Sequence, residues 1–128
     1  MLVHFPIALV LVAALAELVS LAARRPQWHS VAVANLRAGA VFALASTGAG
    51  WMLASSPIVG ASAALEWHRW VGLLAALTAL AAALASADSG RPARQWLYRA
   101  ALCSAAALVV AAGHLGAVLV WGAEFLRP

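Results

Sequence analysis

Four long apolar runs joined by short linkers constrain this chain more than any other feature of its sequence. They cover about residues 3–23, 31–54, 63–87 and 97–125. A hydrocarbon core about 30 Å thick is crossed by roughly 20 apolar residues in a helix, so each run can span a bilayer. Short linkers make consecutive helices antiparallel. The sequence therefore predicts an all-α, four-helix transmembrane bundle with up-down-up-down topology, forming a single domain over residues 1–128.

The composition supports a membrane protein. Of the 128 residues, 66% are hydrophobic and 9% are charged, with a mean hydropathy of +0.94. A soluble domain is about half apolar and a quarter charged, and a chain of this size cannot bury so much apolar surface in one core. The net charge of +4 comes from arginines near the linkers rather than from a basic patch. We therefore expect the lipid bilayer as a partner, and no nucleic acid.

The arginines also predict an orientation. Six of the eight lie where the first run meets the second and the third meets the fourth: Arg24, Arg25, Arg37, Arg91, Arg94 and Arg99. We call this side of the bundle the arginine-rich end, and the side that carries both termini the opposite end. Since positively charged loops stay in the cytoplasm, both termini are predicted to be periplasmic. The predicted location is the bacterial inner (cytoplasmic) membrane, crossed several times.

Three histidines fall in the half of the bundle next to the opposite end. His4 opens the first run, His68 is near the start of the third, and His114 is in the last part of the fourth. With a rise of about 1.5 Å per residue, His68 and His114 lie at similar depth and His4 is shallower. An ionisable residue in a span is costly and usually has a partner. Two histidines on facing helices suit the axial ligation of haem b.

The surroundings of these histidines leave several interpretations open. Trp51 and Trp70 could wall a porphyrin and Arg69 could pair with a propionate, whereas tryptophans at this level also fit an interfacial aromatic belt. Alternatively, the three histidines bind copper or zinc, since imidazole suits both metals. Each histidine could also be a structural clasp between helices. The sequence has no Cys-x-x-Cys-His motif, which excludes covalent c-type haem attachment.

Two charged residues within the first two runs are predicted to form a pair. Glu17 and Arg37 lie at similar depths from the arginine-rich end, and a buried charge without a partner is expensive. His29 falls in the first linker and is expected to be solvated or interfacial. The glycines of the second and fourth runs indicate either tight helix packing or space for a flat cofactor.

Several motifs resemble a known family. The segments VHFPIAL at residues 3–9, HRWVG at 68–72 and GHLGAVLVWG at 113–122 are similar to those of an uncharacterised bacterial family, catalogued as a domain of unknown function with four predicted membrane helices. Its layout resembles that of membrane b-type cytochromes, and some members are fused to Rieske or c-type cytochrome domains. The resemblance implies electron transfer near the periplasmic face, with His4, His68 and His114 as candidate ligands.

Three functional hypotheses follow. The first is a small b-type haem protein or haem-binding subunit that transfers electrons to other membrane or periplasmic subunits, with His68 and His114 as axial ligands. The second is a non-redox subunit that stabilises or assembles a larger respiratory or photosynthetic complex. The third is a three-histidine copper or zinc site formed by His4, His68 and His114. No hydrolytic or transferase constellation is visible, so a stand-alone enzyme is disfavoured.

Overall fold

The computed structural model describes residues 3–88, 91–122 and 124, and within them it forms four α-helices and no strand. The helices are α1 (His4–Ala22), α2 (Gln27–Ala54), α3 (Ala63–Ala85) and α4 (Pro92–Trp121). A single 3-10 turn, Ser86–Asp88, follows α3. All four helices are long and apolar enough to cross a membrane. The predicted all-α, four-helix transmembrane fold is confirmed.

Two helices begin earlier than the apolar runs that predicted them. α2 starts at Gln27 and α4 at Pro92, four and five residues ahead of the predicted starts. The early turns are polar or aromatic, which hides them from a hydropathy pattern, and Pro92 suits the first turn because proline there loses no hydrogen bond. With 28 and 30 residues, these helices are roughly 42 and 45 Å long and extend beyond the hydrocarbon core at their ends.

Each helix packs against its neighbours in the sequence, and α1 also contacts α4 to close the ring. The end of α1 is hydrogen-bonded to the starts of α2 and α4 through Glu17, and the start of α3 is bonded to the late part of α4 through His68. These contacts make neighbouring helices antiparallel. The bundle therefore has the predicted up-down-up-down topology, while the assignment of its two ends to cytoplasm and periplasm stays a prediction.

The buried residues lie almost entirely in one half of the bundle. They fall within residues 10–17 of α1, 32–43 of α2, 75–86 of α3 with its following turn, and 98–109 of α4. These segments surround the arginine-rich end, and we call them the closed half. Apart from Pro6, no described residue of the other half, which we call the open half, is buried. The two halves of one bundle are thus packed very differently.

Small residues allow the close packing of the closed half. Alanines at four-residue and three-residue intervals line the inner face of α3, where Ala75, Ala79 and Ala82 are at most 3% exposed. At Gly39 of α2, an added Cβ would lie 3.1 Å from Val10 Cγ2 and 3.2 Å from Leu9 Cβ. Small side chains let helix backbones approach closely, so Gly39 serves tight packing between α1 and α2.

Candidate functional site

A cavity of about 610 Å³ lies mainly in the open half, is lined by all four helices, and reaches the closed half at Ala43, Ala75 and Val109. Its volume lies within the roughly 300–1,000 Å³ typical of small-molecule sites. Most of its lining is apolar or glycine, and its polar and aromatic members are His4, Ser46, Thr47, Trp51, His68 and Arg69. An apolar chamber with a few polar groups is the usual composition of a cofactor or ligand site.

Glycines contribute to the space in this half of the bundle. Gly50, Gly72, Gly113 and Gly116 line the cavity. An added Cβ at Gly50 or Gly72 would meet nothing within 4 Å, so these glycines are not required for close helix contact. The two interpretations of the glycines therefore apply to different positions: Gly39 serves packing, whereas these four border an open volume.

His68 is held in a defined orientation at the cavity wall. Its Nδ1 lies 2.9 Å from the backbone oxygen of Ala112 on α4, and its ring packs over Gly116, where a Cβ would be 3.2 Å from His68 Cε1. A carbonyl oxygen only accepts hydrogen bonds, so Nδ1 donates and carries the hydrogen. In the neutral ring, Nε2 then has the free lone pair. Metal-ligating histidines commonly have this arrangement, with the second ring nitrogen bonded to a carbonyl.

Three polar atoms of the cavity lining are buried without a hydrogen-bond partner in the described part of the chain: Ser46 Oγ, Trp51 Nε1 and Arg69 Nε. The Arg69 guanidinium lies 4.0 Å from the centroid of the Trp51 ring, which stabilises the cation by a cation–π interaction. Buried polar atoms are nearly always bonded. All three atoms belong to residues that line the cavity.

The structure brings together only part of the predicted site. His4, Trp51, His68 and Arg69 line the cavity, whereas Trp70 lies behind Trp51 with ring centroids 5.5 Å apart. His114 is exposed and is not among the lining residues.

The reason His114 lies outside is helical phase. Gly113 and Gly116 are three residues apart and share the cavity face of α4, while His114 is rotated by about 100° from Gly113. His114 lies at about the same depth along the bundle as His68. Depth, however, does not determine which face of α4 carries the side chain. Among the described residues, no three His, Cys, Asp or Glu side chains are grouped so that they could hold a metal ion.

A second polar cluster lies in the closed half and is centred on Glu17, which is only 5% exposed. One carboxylate oxygen, Oε2, is 2.7 Å from His29 Nδ1 and accepts a 3.2 Å hydrogen bond from the Tyr98 hydroxyl. The other, Oε1, accepts a 3.0 Å bond from Arg99 Nε. The cluster connects α1, α2 and α4, and both oxygens of the buried carboxylate are bonded.

This cluster corrects two predictions. The predicted Glu17–Arg37 pair is wrong, because Arg37 is exposed beside a groove between α2 and α3, while Arg99 of α4 bonds Glu17. His29 lies in α2 rather than in the linker, because the helix begins before it, and its partly exposed ring is bonded to Glu17. The adjacent Tyr98 and Arg99, placed at the start of the fourth run, were the sequence signal for an acidic partner on another helix.

A family model described as "Predicted membrane protein (DUF2231)" matches residues 1–125 of this chain. No curated protein and no solved structure matches this chain. The match agrees with four membrane-spanning helices and extends over both halves of the bundle.

Proposed function

The chain belongs to the DUF2231 family of predicted membrane proteins, and we propose that its open half binds haem b for electron transfer. The observation that carries this proposal is the geometry of His68. Its ring lines a cavity shared by all four helices, and its Nδ1 donates to Ala112, so Nε2 is the nitrogen left for a ligand bond. In this proposal, Nε2 of His68 would hold the haem iron.

The other lining residues fit an amphiphilic, planar group with acidic substituents. Arg69 Nε and Trp51 Nε1 are buried donors that have no partner within the described part of the chain, and propionate oxygens would accept from these side chains. His4 lines the same cavity and is the proposed second axial histidine, in place of His114. The apolar remainder of the wall would exclude water, which strengthens each of these polar contacts.

Haem b supplies reversible one-electron chemistry when bound, and the protein tunes it through the axial ligands, their hydrogen bonds and the burial of the group. Here the Ala112 carbonyl would raise the donor strength of His68 by holding its Nδ1–H. Arg69 would stabilise negative charge at the edge of the cavity. The residues thus provide binding, orientation and electrostatics, which are the contributions expected of a protein to a cofactor.

The test is a reduced-minus-oxidised optical spectrum of the detergent-purified protein from haem-replete cells. We expect a b-type α-band in the wild type and its loss in His68→Asn, because the asparagine amide keeps a donor near the Nδ1 position but lacks the imidazole Nε2. His4→Ala should alter or remove the band. His114→Ala is the matched control and should keep it, since His114 lies outside the cavity. A folded wild type with a flat spectrum would refute the proposal.

One observation favours a second candidate, a non-redox subunit of a larger membrane complex. The bond from His68 to Ala112 joins α3 to α4, so it also serves as a clasp that needs no cofactor. In that case His68→Asn, which keeps a donor, would preserve stability, and the purified protein would be colourless and accompanied by stoichiometric partner subunits. The copper or zinc alternative would instead give stoichiometric metal on elemental analysis.

A further inference from the structure

A groove of about 310 Å³ runs along the outer surface of the closed half, between α2 and α3. Its floor includes Ala40, which is 2% exposed, and its rim includes Val41 and Leu84, which are 66% and 63% exposed. The rim therefore faces the surroundings of the bundle rather than its interior. In a membrane-spanning chain, these surroundings are lipid acyl chains.

Among the described residues that line this groove, Arg37 is the one that carries a charge. It is exposed and forms no ion pair among the described residues, where the buried carboxylate of Glu17 is paired with His29 and Arg99 instead. Arg37 is ten residues from the first residue of α2, so it lies roughly 15 Å along this helix. The helix is longer than the hydrocarbon core is thick. A cation at this depth is costly without an anion, and its long side chain can extend toward the headgroups.

The charge around the groove favours a negatively charged partner. Arg24, Arg25 and Arg94 are exposed at the same end of the bundle, where the neighbouring carboxylate of Glu17 is already neutralised. Basic sites between membrane helices bind anionic lipid headgroups. An anionic lipid matches both parts of the groove. Its phosphate would pair with Arg37, and its acyl chain would contact the apolar lining.

We propose that this groove is a binding site for an anionic phospholipid, with an acyl chain between α2 and α3 and the headgroup phosphate on the Arg37 guanidinium. Guanidinium groups bind phosphate oxygens through paired N–H donors. The site is independent of the cavity in the open half, because it involves other residues at the other end of the bundle. It predicts a bound lipid whether or not the protein carries a haem.

The test is native mass spectrometry of the full chain in detergent, titrated with phosphatidylglycerol, phosphatidylcholine or inorganic phosphate. The wild type should bind phosphatidylglycerol most tightly. Arg37→Gln should weaken that binding about fivefold, which corresponds to the loss of one arginine contact, and Arg37→Lys should recover most of it. Arg94→Gln is the matched control, since Arg94 is exposed at the same end but does not line the groove, and it should bind like the wild type.

Each remaining outcome would overturn the proposal. Wild-type affinity in folded Arg37→Gln would show that the guanidinium does not hold the headgroup. Equal losses in Arg37→Gln and Arg94→Gln would show diffuse attraction by the arginine-rich end. Equal affinity for phosphatidylcholine would remove the preference for an anionic lipid, and equally tight inorganic phosphate would identify a free-anion site.

Discussion

The two polar clusters of this bundle differ in whether their hydrogen bonds are complete. In the closed half, both oxygens of Glu17 are bonded by side chains from α2 and α4. In the open half, Arg69 Nε, Trp51 Nε1 and Ser46 Oγ have no partner among the described residues, and they border a cavity of about 610 Å³. A complete cluster stabilises helix association, whereas an incomplete cluster around a cavity is suited to binding a ligand.

The packing of the two halves shows the same difference. Alanines and Gly39 close the space between helices near the arginine-rich end, while cavity-lining glycines at positions 50 and 72 have no neighbour within 4 Å of an added Cβ. The same small residues therefore have opposite consequences in the two halves. In the closed half they let the helices approach closely, and in the open half they border a cavity between the helices.

The largest effect should come from removing Glu17. Glu17→Ala deletes the acceptor of three side chains and leaves their donors unpaired in the bundle, so we expect a loss of about 2–3 kcal/mol in the free energy of unfolding. Unfolding in mixed micelles, followed by circular dichroism, measures this loss. Glu66→Ala is the control, because Glu66 is exposed near the start of α3, and it should change stability by less than about 0.5 kcal/mol. Equal stability of both variants would show that the cluster is not a clasp.

A smaller effect is expected from filling space in the closed half. Gly39→Val would place atoms against Val10 and Leu9 at 3.1–3.2 Å or less, so we expect destabilisation of about 2 kcal/mol from overpacking. Gly48→Val is the matched variant on the same helix, where an added Cβ meets nothing within 4 Å, and it should be near neutral. The same unfolding assay compares the two, and similar losses would contradict the difference in packing between the halves.

In the open half, the orientation of His68 can be changed without touching His68. Gly116→Ala places a methyl group 3.2 Å from His68 Cε1, which would push the ring and weaken its bond to Ala112. We expect haem occupancy to fall severalfold, by the ratio of Soret to protein absorbance, with stability changed by less than about 1 kcal/mol. Gly72→Ala, also in the cavity lining but without a neighbour within 4 Å, should retain occupancy. Lower haem occupancy in Gly72→Ala than in Gly116→Ala would contradict the proposed role of His68.

The smallest effect should come from Ser46→Ala. Its hydroxyl is buried and has no partner among the residues that the structure describes, so the substitution removes an unsatisfied group and should leave the unfolding free energy of the empty protein unchanged or raised by about 0.5 kcal/mol. In the loaded protein the same change should weaken binding slightly if the hydroxyl contacts the ligand. A clear destabilisation of the empty protein would show that Ser46 already has a partner.

The number, direction and approximate bounds of the helices were predictable, because runs of about 20 apolar residues have few other solutions. The depth of the histidines was predictable for the same reason, since depth follows from counting along a helix. His68 and His4, both predicted to lie toward the opposite end, line one cavity.

The rotation of each helix about its axis was not predictable. In a soluble protein the polar side of a helix identifies the buried side, but in a membrane both sides are apolar and the pattern gives no phase. This is why His114 was assigned to the cavity and Arg37 to Glu17, although both residues lie on other faces. Partners on different helices, such as Glu17 and Arg99, depend on these rotations and so required the structure.

The confinement of close packing to one half has a consequence for how the protein matures. Because the contacts of Glu17 and Gly39 do not involve the cavity, the closed half can assemble without the proposed ligand. If haem is bound as proposed, its binding would follow the assembly of the closed half, and its timing would depend on the supply of haem.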